Sequence, residues 1–494
     1  MWKPLERFGR WLSRKTGTSA VSSRGFSYDA AAPGSSNWRA VNQSGEDADR
    51  YDRDAVRARA RDLERNSDVF NSIVSAFVRN IVGKGFILQA DTGDTGLDDQ
   101  IEALWRLWCK KQNCGVTGAQ SLNQMLRMAV RRKKIDGGVL LVKRFSRGGI
   151  LPFRLQLVEV DELDASRLAP RFRGNRVMGG IEYNAALAPA GFWLRQYSFD
   201  GVLPLDPVFV PAKDVMFYFS RRRPSQLREM SDMAPSVTRI RDLNEFMISF
   251  SMKQRIEACF GIAIRREIPQ GGFGRPSAAS AAGSKNDYGD KNIFPGMILE
   301  LNPGDSIETI NPNGQSTDAS AYAKLLLRMI SAGQGLSYEA ASRDMSQCTY
   351  SSARQGMIED AMTYAEEEEQ VGELLDEIYE TFLISAVLAG KVDIPDFWEQ
   401  KAVYFRHTFE KPPKDWIDPV KEANAAKIAV QTGQKTFKQI AAQNGSDWRK
   451  QVDDICDVLD YAMEQHGIDL GGVILGQNTN RERGAEQSAA PDEK

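Results

Sequence analysis

Ser337-Tyr-Glu-Ala-Ala-Ser-Arg-Asp-Met-Ser-Gln-Cys-Thr-Tyr-Ser-Ser-Ala-Arg354 is a polar, turn-rich stretch between two strong helical patterns, with Gly333 and Gly335 just ahead of it. Upstream, Tyr322, Leu325, Leu326, Met329 and Ile330 recur at helical spacing, Ser316, Thr317 or Asp318 offers an N-cap, and Gly333 ends the run. Downstream, Met357, Ala361, Tyr364, Val371, Leu374, Leu375, Ile378, Phe382 and Leu383 form a nearly continuous stripe, which predicts one long helix from Ser351 to Ala389. A polar segment held in mid-chain by two such helices points to a moving or contacting element, not to a linker.

Working outward, Val56, Ala60, Leu63, Val69, Ile73, Val74, Phe77 and Ile81 predict a helix from Asp54, stopped by Gly83 and Gly85 and followed by a strand at Phe86–Ala90. Residues 97–113 and 119–134 read as two more helices. The period then changes to strand runs at 139–142, 153–158, 192–197 and 215–219. A basic turn, Arg221-Arg-Arg-Pro224, precedes a helix capped by Ser231 or Asp232, with Pro235 in its first turn and Val237, Ile240, Leu243, Met247 and Phe250 on one face. Strands are predicted at 259–264, 297–301 and 306–310, the last two joined by Asn302-Pro-Gly-Asp305, and the low-complexity stretch 269–291 reads as a flexible loop. Residues 391–419 read as extended and 420–466 as short helices. Residues 17–50 are expected to form an arm, and 470–494 a disordered tail. The fold class is α+β.

The 494 residues suggest two to four units. Lys+Arg number 64 and Asp+Glu 66, a net charge of −2, which is not the balance of a tight nucleic-acid binder. Arg57, Arg59 and Arg61 read as a solvated helix face, and Arg131-Arg-Lys-Lys134 as a basic helix end favoured by the macrodipole. The five cysteines are odd in number and lack CxxC spacing, which speaks against a disulfide framework or a zinc site. No run is long and apolar enough for a membrane helix, and the basic N-terminus lacks the apolar core of a secretory signal. It reads as a short docking helix or frayed arm, with a membrane-surface helix as the other reading.

No chemistry emerges from the motifs. His407 and His466 are the only histidines, and neither sits in HExxH or beside a GxSxG elbow. The glycines of 269–291 lack GxxxxGK[ST], so a phosphate cradle is not supported. Glu366 to Glu369 are consecutive, about 100° apart around a helix, so their carboxylates diverge and do not gather on a metal. They read as a solvated or channel-facing acidic face, and Asp161, Glu162 and Asp164 as part of a turn. No catalytic residue, metal or cofactor is expected.

Several blocks resemble one family in order and separation. They are LERNSDVFNSIVSAFVRNIVGKGFIL at 63–88, IDGGVLLVKR at 135–144, LQLVEVDEL at 155–163, GIEYNAALAPAGFWL at 180–194, VMFYFSRRRPSQLREMSDMAPSV at 215–237, the 337–354 stretch, and WIDPVKEANAAKIAVQTGQKTFKQIAAQNGSDW at 416–448. Together they resemble the lambda-type portal proteins of tailed bacteriophages over about residues 50–465. Met230 departs from the pattern, standing where a small residue is expected. The resemblance implies an N-terminal arm (1–49), a first part of the wing (50–225), a stem helix (226–258), a clip (259–315), a second stem helix (316–333), a tunnel loop (334–352), the long helix with the rest of the wing (353–419), a crown (420–466) and a tail (467–494). It also implies a typically twelve-membered ring at one capsid vertex of the virion, assembled in the bacterial cytoplasm. Double-stranded DNA would pass through it without sequence reading. Terminase large subunit, major capsid and scaffold proteins and head-completion or tail proteins would be its partners, with no membrane. Channel contacts are expected from Lys324, Arg328, Arg343, Asp344, Gln347, Tyr350 and Arg354. Clip contacts to terminase are expected from Phe273, Arg275, Lys285, Tyr288 and Lys291. Arg343 either touches the DNA backbone or pairs with Asp344 or Glu339. The competing classes are a monomeric helical adaptor and a head-associated packaging enzyme.

Overall fold

The computed structural model describes residues 41–197, 204–259, 262–264, 298–300, 319–412, 419–444, 448–468 and 470. The chain enters through α1 (Gly45–Asp49), capped by Ser44. This last part of the expected arm is not loose. Glu46 is buried, and the Gly45 N–H donates to Ser225 Oγ at 2.7 Å. The helical pattern that follows forms two helices, not the single one expected: α2 (Arg53–Asn66) and α3 (Asp68–Ile81). Ser67 breaks it by taking an extended conformation and accepting from the Phe70 N–H, so it caps the second helix.

β1 (Ile87–Ala90) follows the two glycines, Gly83 at φ +52° and Gly85 at φ +111°. It leads into α4 (Thr95–Trp108), capped by Asp94, then the single turn α5 (Lys111–Cys114) and α6 (Leu122–Asp136), which opens on a Ser121/Gln124 capping box. Gly137 ends α6 at φ +93°. A Cβ there would lie 2.4 Å from the carbonyl carbon of Met230, so this close backbone approach requires glycine. Met230, the departure from the family pattern, thus packs against the end of α6 by its main chain.

Two sheets come next. β2 (Gly138–Phe145), β3 (Phe153–Val158) and β8 (Val215–Phe219) form one, with β2 central and antiparallel to both neighbours. β4 (Arg176–Met178), β5 (Ile181–Tyr183), β6 (Pro189–Tyr197) and β7 (Pro204–Pro211) make an antiparallel meander. Periodicity missed β4, β5 and β7. The first two are three residues each, and β7 carries three prolines.

α7 (Ala234–Cys259) is followed by β9 (Ile262–Ile264), which pairs in parallel with β10 (Ile298–Glu300). The loop 269–291, the strand expected at 306–310, the cap at 316–318 and nearly all of the expected tail lie outside the described residues. α8 (Ala319–Gly333) packs along α7, with Phe246 edge-on to Tyr322 at 4.8 Å. α9 (Tyr338–Ser342) and the 39-residue α10 (Tyr350–Leu388) come next. Within 391–419 the chain forms α11 (Lys401–Tyr404) and β11 (His407–Glu410), so that stretch is not simply extended. β11 pairs antiparallel with β1, Leu88 opposite Phe409. α12 (Pro419–Gln431), α13 (Phe437–Gln443) and α14 (Trp448–His466) match the three short helices expected.

The main core joins α2, α3, α4, α6, one face of the β2 sheet, the ends of α7 and α8 that meet this body, and the C-terminal half of α10. A second core lies between the two sheets around Leu140, Phe192 and Val215. The aromatic centre of the first is Trp108, stacked on Phe153 (5.2 Å, 9°) and packed on Trp105 and Phe382.

Candidate functional site

The 337–354 stretch is more ordered than its composition implies. It was expected as a loop through residue 352, but α9 occupies 338–342 and α10 already begins at Tyr350. The hydroxyls that made it look like a loop serve as caps. Ser337 Oγ accepts from the Ala340 N–H and donates to Asp360 Oδ2 at 2.7 Å, while the Ser337 N–H donates to Asp360 Oδ1 at 2.6 Å. Thr363 Oγ1 donates to the Gly335 carbonyl at 2.7 Å, and Ser72 Oγ donates to the Ala341 carbonyl at 2.7 Å. Gly335 takes φ +69° against Thr363. Thr349 and Ser352 form a capping box at the start of α10. The turn is therefore tied to α3 and α10, with Leu336 and Ala341 buried beneath it.

Arg343 closes α9 in the left-handed conformation, φ +59°. Neither of its expected acidic partners is available. Asp344 accepts from the Ser346 N–H, Ser346 Oγ and Tyr338 Oη, bonds that hold its carboxyl below the usual range. Glu339 accepts from Cys348 Sγ at 3.2 Å, which pushes that thiol up. Arg343 is exposed and makes no ion pair among the described residues.

Of the other expected channel residues, Arg328 stacks over Tyr338 at 5.6 Å, and Lys324 lies close enough to help depress Asp344. Gln347 is exposed in the turn, Tyr350 opens α10, and Arg354 lies exposed a turn further on. The structure thus gathers Lys324, Arg328, Arg343 and Asp344 around α9. Phe273, Arg275, Lys285, Tyr288 and Lys291 lie outside the described residues.

Sequence reasoning missed a buried charge junction beneath the turn. Glu367 is not a solvated glutamate. It accepts from both Lys133 and Lys134, and Lys134 also faces Asp232 at 3.3 Å, itself bound to Arg222 at 3.0 Å. Lys133 is fully buried. Glu368 pairs with Lys411, so only Glu366 and Glu369 of the run remain exposed. Arg131 and Arg132 both reach Glu64, so the basic helix end is more than a dipole partner.

The expected solvated face of α2 holds at Arg59, which is exposed, and is corrected at Arg57 and Arg61. Arg57 is buried on Glu229 (3.1 Å) and Asp161 (3.0 Å), and Arg61 holds Asp136 at 2.7 Å. Glu229, fully buried, also takes Arg228 at 2.7 Å. Asp161 and Glu162 do lie in a single helical turn, 160–162. No spacing rule links Arg57 to Glu229 and Asp161, or Arg61 to Asp136, because each of these pairs joins distant segments.

Burial alone would raise the carboxyl pKa of Glu64, Glu229 and Glu367, but the facing cations more than offset it, and all three fall below the ordinary 4.5. A carboxylate depressed in the folded state stabilises it above the unfolded pKa, and that stability is lost as pH falls through the folded value. We expect the thermal midpoint to change little with carboxylate titration between pH 7 and 5, then to drop below about pH 4.5. A midpoint that is flat down to pH 3 in calorimetry would show that these ion pairs carry no net stability.

Among the described residues, no three His, Cys, Asp or Glu side chains form a metal-holding group, and no helix is long and apolar enough to cross a membrane. The arrangement is a mechanical one: a pinned turn between long helices, braced by ion pairs on the main body. The family model described as phage portal protein, lambda family, matches residues 32–367, well over half of the chain. The chain belongs to the lambda family of phage portal proteins.

This portal subunit is 24% identical over 431 residues to the probable portal protein of Halomonas phage phiHAP-1, covering 83% of this chain and 81% of that one. It is 20% identical to portal protein B of Escherichia phage lambda over 80% of this chain and 81% of that one. Among solved structures, the neck of an empty gene transfer agent particle is 14% identical, covers 80% of this chain and 93% of that chain, and has a TM-score of 0.41. Family membership makes the chain a structural component of a phage particle, not an enzyme.

Proposed function

We propose that copies of this subunit close into a ring, typically of twelve, at one capsid vertex. Duplex genome is conducted through its bore during packaging and ejection. The observation that carries this is the apolar surface left uncovered on the long helices. Met247, Ile248 and Met252 on α7, Leu325 and Met329 on α8, and Met357, Ile358 and Met362 on α10 are all exposed large hydrophobics, Ile248 at 64% and Met362 at 61%. Contiguous apolar surface on a soluble chain marks a protein interface. Side chains from three unlike helices provide the two different faces that a heterologous, closing interface needs.

In this reading α7 and α8 form the stem, residues 259–315 form the clip where the terminase large subunit and later the head-completion and tail proteins dock, and 420–466 form the crown inside the head. The body around the two sheets is the wing, which meets the major capsid and scaffold proteins. Assembly takes place in the host cytoplasm before the particle matures.

Negative-stain microscopy and native mass measurement test the ring: annular particles with a central hole are expected, and single subunits at every concentration would refute it. Ile248→Glu should leave the subunit folded, because the side chain is already exposed, but abolish rings, because a charge would be buried unpaired in the interface. Rings formed by that variant would remove α7 from the interface.

The turn at 334–352 then faces the bore as the tunnel loop. Arg343, with no acidic neighbour engaged, is held on a pinned element and contacts phosphates without reading bases. A near-neutral subunit suits sliding, since each added phosphate contact strengthens salt-sensitive binding and a ring multiplies it. Arg343→Glu should leave rings intact and reduce packaged DNA at least about tenfold, by replacing an attraction with a repulsion in every copy. Full packaging by that variant would show that Arg343 does not meet the genome.

A further inference from the structure

A cleft of about 590 Å³ lies between β8 and the middle of α10. Residues 216–221 all border it. Successive strand side chains point to opposite faces, so a consecutive run of lining residues means that the backbone edge of β8 forms this wall. That edge is free: β8 pairs with β2 on one side only and with no other described strand. The opposite wall is acidic. Glu366, Glu369 and Glu373 are exposed and make no ion pair among the described residues, whereas Glu377 is held by Lys143 at 2.7 Å. Arg221 lies at the end of the β8 wall, near the Phe219 ring, and Ser220 Oγ meets Gln370 at 3.1 Å. Tyr218, 5% exposed, also borders the cleft, and its buried hydroxyl has no hydrogen-bond partner among the described residues.

A free strand edge beside unpaired carboxylates and an unpartnered buried hydroxyl fits an extended, basic polypeptide. Its main chain would add to the strand, and its cations would meet the acids. This chain carries such a segment. Residues 1–24 hold Lys3, Arg7, Arg10, Arg14, Lys15 and Arg24 against a single acid, Glu6. Its route is also in place. The Gln43 carbonyl accepts from Arg223 Nη2 at 2.8 Å and Gly45 is bound to Ser225, so the described chain enters beside the segment that leaves the cleft at Arg221. An extended chain advances about 3.3 Å per residue, so five residues cover β8 and the intervening ones easily span the return.

We propose that the basic N-terminal segment, residues 1–24, lies in this cleft on the free edge of β8, with its lysines and arginines on Glu366, Glu369 and Glu373. The assignment does not depend on the ring. The test uses the full chain, a chain lacking residues 2–24, and a fluorescent peptide of residues 1–24. Amides of 216–221 should exchange slowly in the full chain, faster in the shortened one, and slowly again once the peptide is added. The peptide should bind the shortened chain, more weakly as salt rises, and Glu369→Arg with Glu373→Arg should weaken it about tenfold, two surface ion pairs turned to repulsion. Equal exchange with and without the segment, or peptide binding indifferent to the two glutamates, would overturn the proposal. Protection present in assembled particles and absent in single subunits would overturn the same-chain placement and assign the cleft to a neighbour's arm or another basic partner.

Discussion

Glu367→Gln should destabilise the subunit by about 3–5 kcal/mol, because it removes the carboxylate bound to two ammonium groups inside the protein and leaves them to share the one carboxylate of Asp232. Lys133 is fully buried and Lys134 nearly so, and the next acid, Asp232, binds Arg222 through Oδ1 and offers the two lysines only its Oδ2, at 3.9 and 3.3 Å. Burial already holds the Lys133 pKa below its ordinary value, so losing Glu367 favours its deprotonation further. Urea unfolding should show the midpoint falling without a change of slope. Adding Lys133→Met to the same chain should recover part of the loss, since a methionine of similar length needs no counter-charge. A loss under about 1 kcal/mol would mean that water reaches the junction and screens it like a surface pair. The junction joins α6, the 222–232 segment and α10, so its failure would also loosen the support of the 337–354 turn.

Trp108→Ala should cost a similar amount, about 3–5 kcal/mol, by opening a large cavity at the centre of the main core. Trp108 has no exposed surface, and its ring bridges α4, β3 and α10 through Phe153 and Phe382. Its indole Nε1–H donates to the Phe153 carbonyl at 3.0 Å, which would lose that donor. Trp108→Phe should cost less, since it keeps a ring against Phe153 and loses the hydrogen bond. If alanine and phenylalanine proved equally mild, the core would have to collapse around the site more freely than its packing indicates.

The elements most legible in the sequence are those made by short-range signals. The 39-residue α10, the stop after Ile81, the three strands of the β2 sheet and the three terminal helices all follow from periodicity, glycines and caps within a few residues. The candidate turn was legible in place but not in form. Its serines and threonines read as loop formers, yet Ser337 and Thr349 are N-caps because Asp360 and Ser352 lie where they can bond to them. Ser67 shows the reverse error: one cap residue hidden in a continuous apolar pattern divides a helix in two.

The sequence by itself determined the long helices, the positions of the three strands of the β2 sheet, the absence of catalytic motifs, and the family, through blocks whose order and spacing survive at low identity. Only the tertiary structure decided which charges are partners and which strands pair. Glu367 among four glutamates, Arg57 on a helix face that looks solvated, and β1 beside β11 are chosen by where distant segments come to rest. The physical reason is range: caps and periodicity act over a turn or two, whereas an ion pair or a ladder between remote residues exists only once the chain has closed around it.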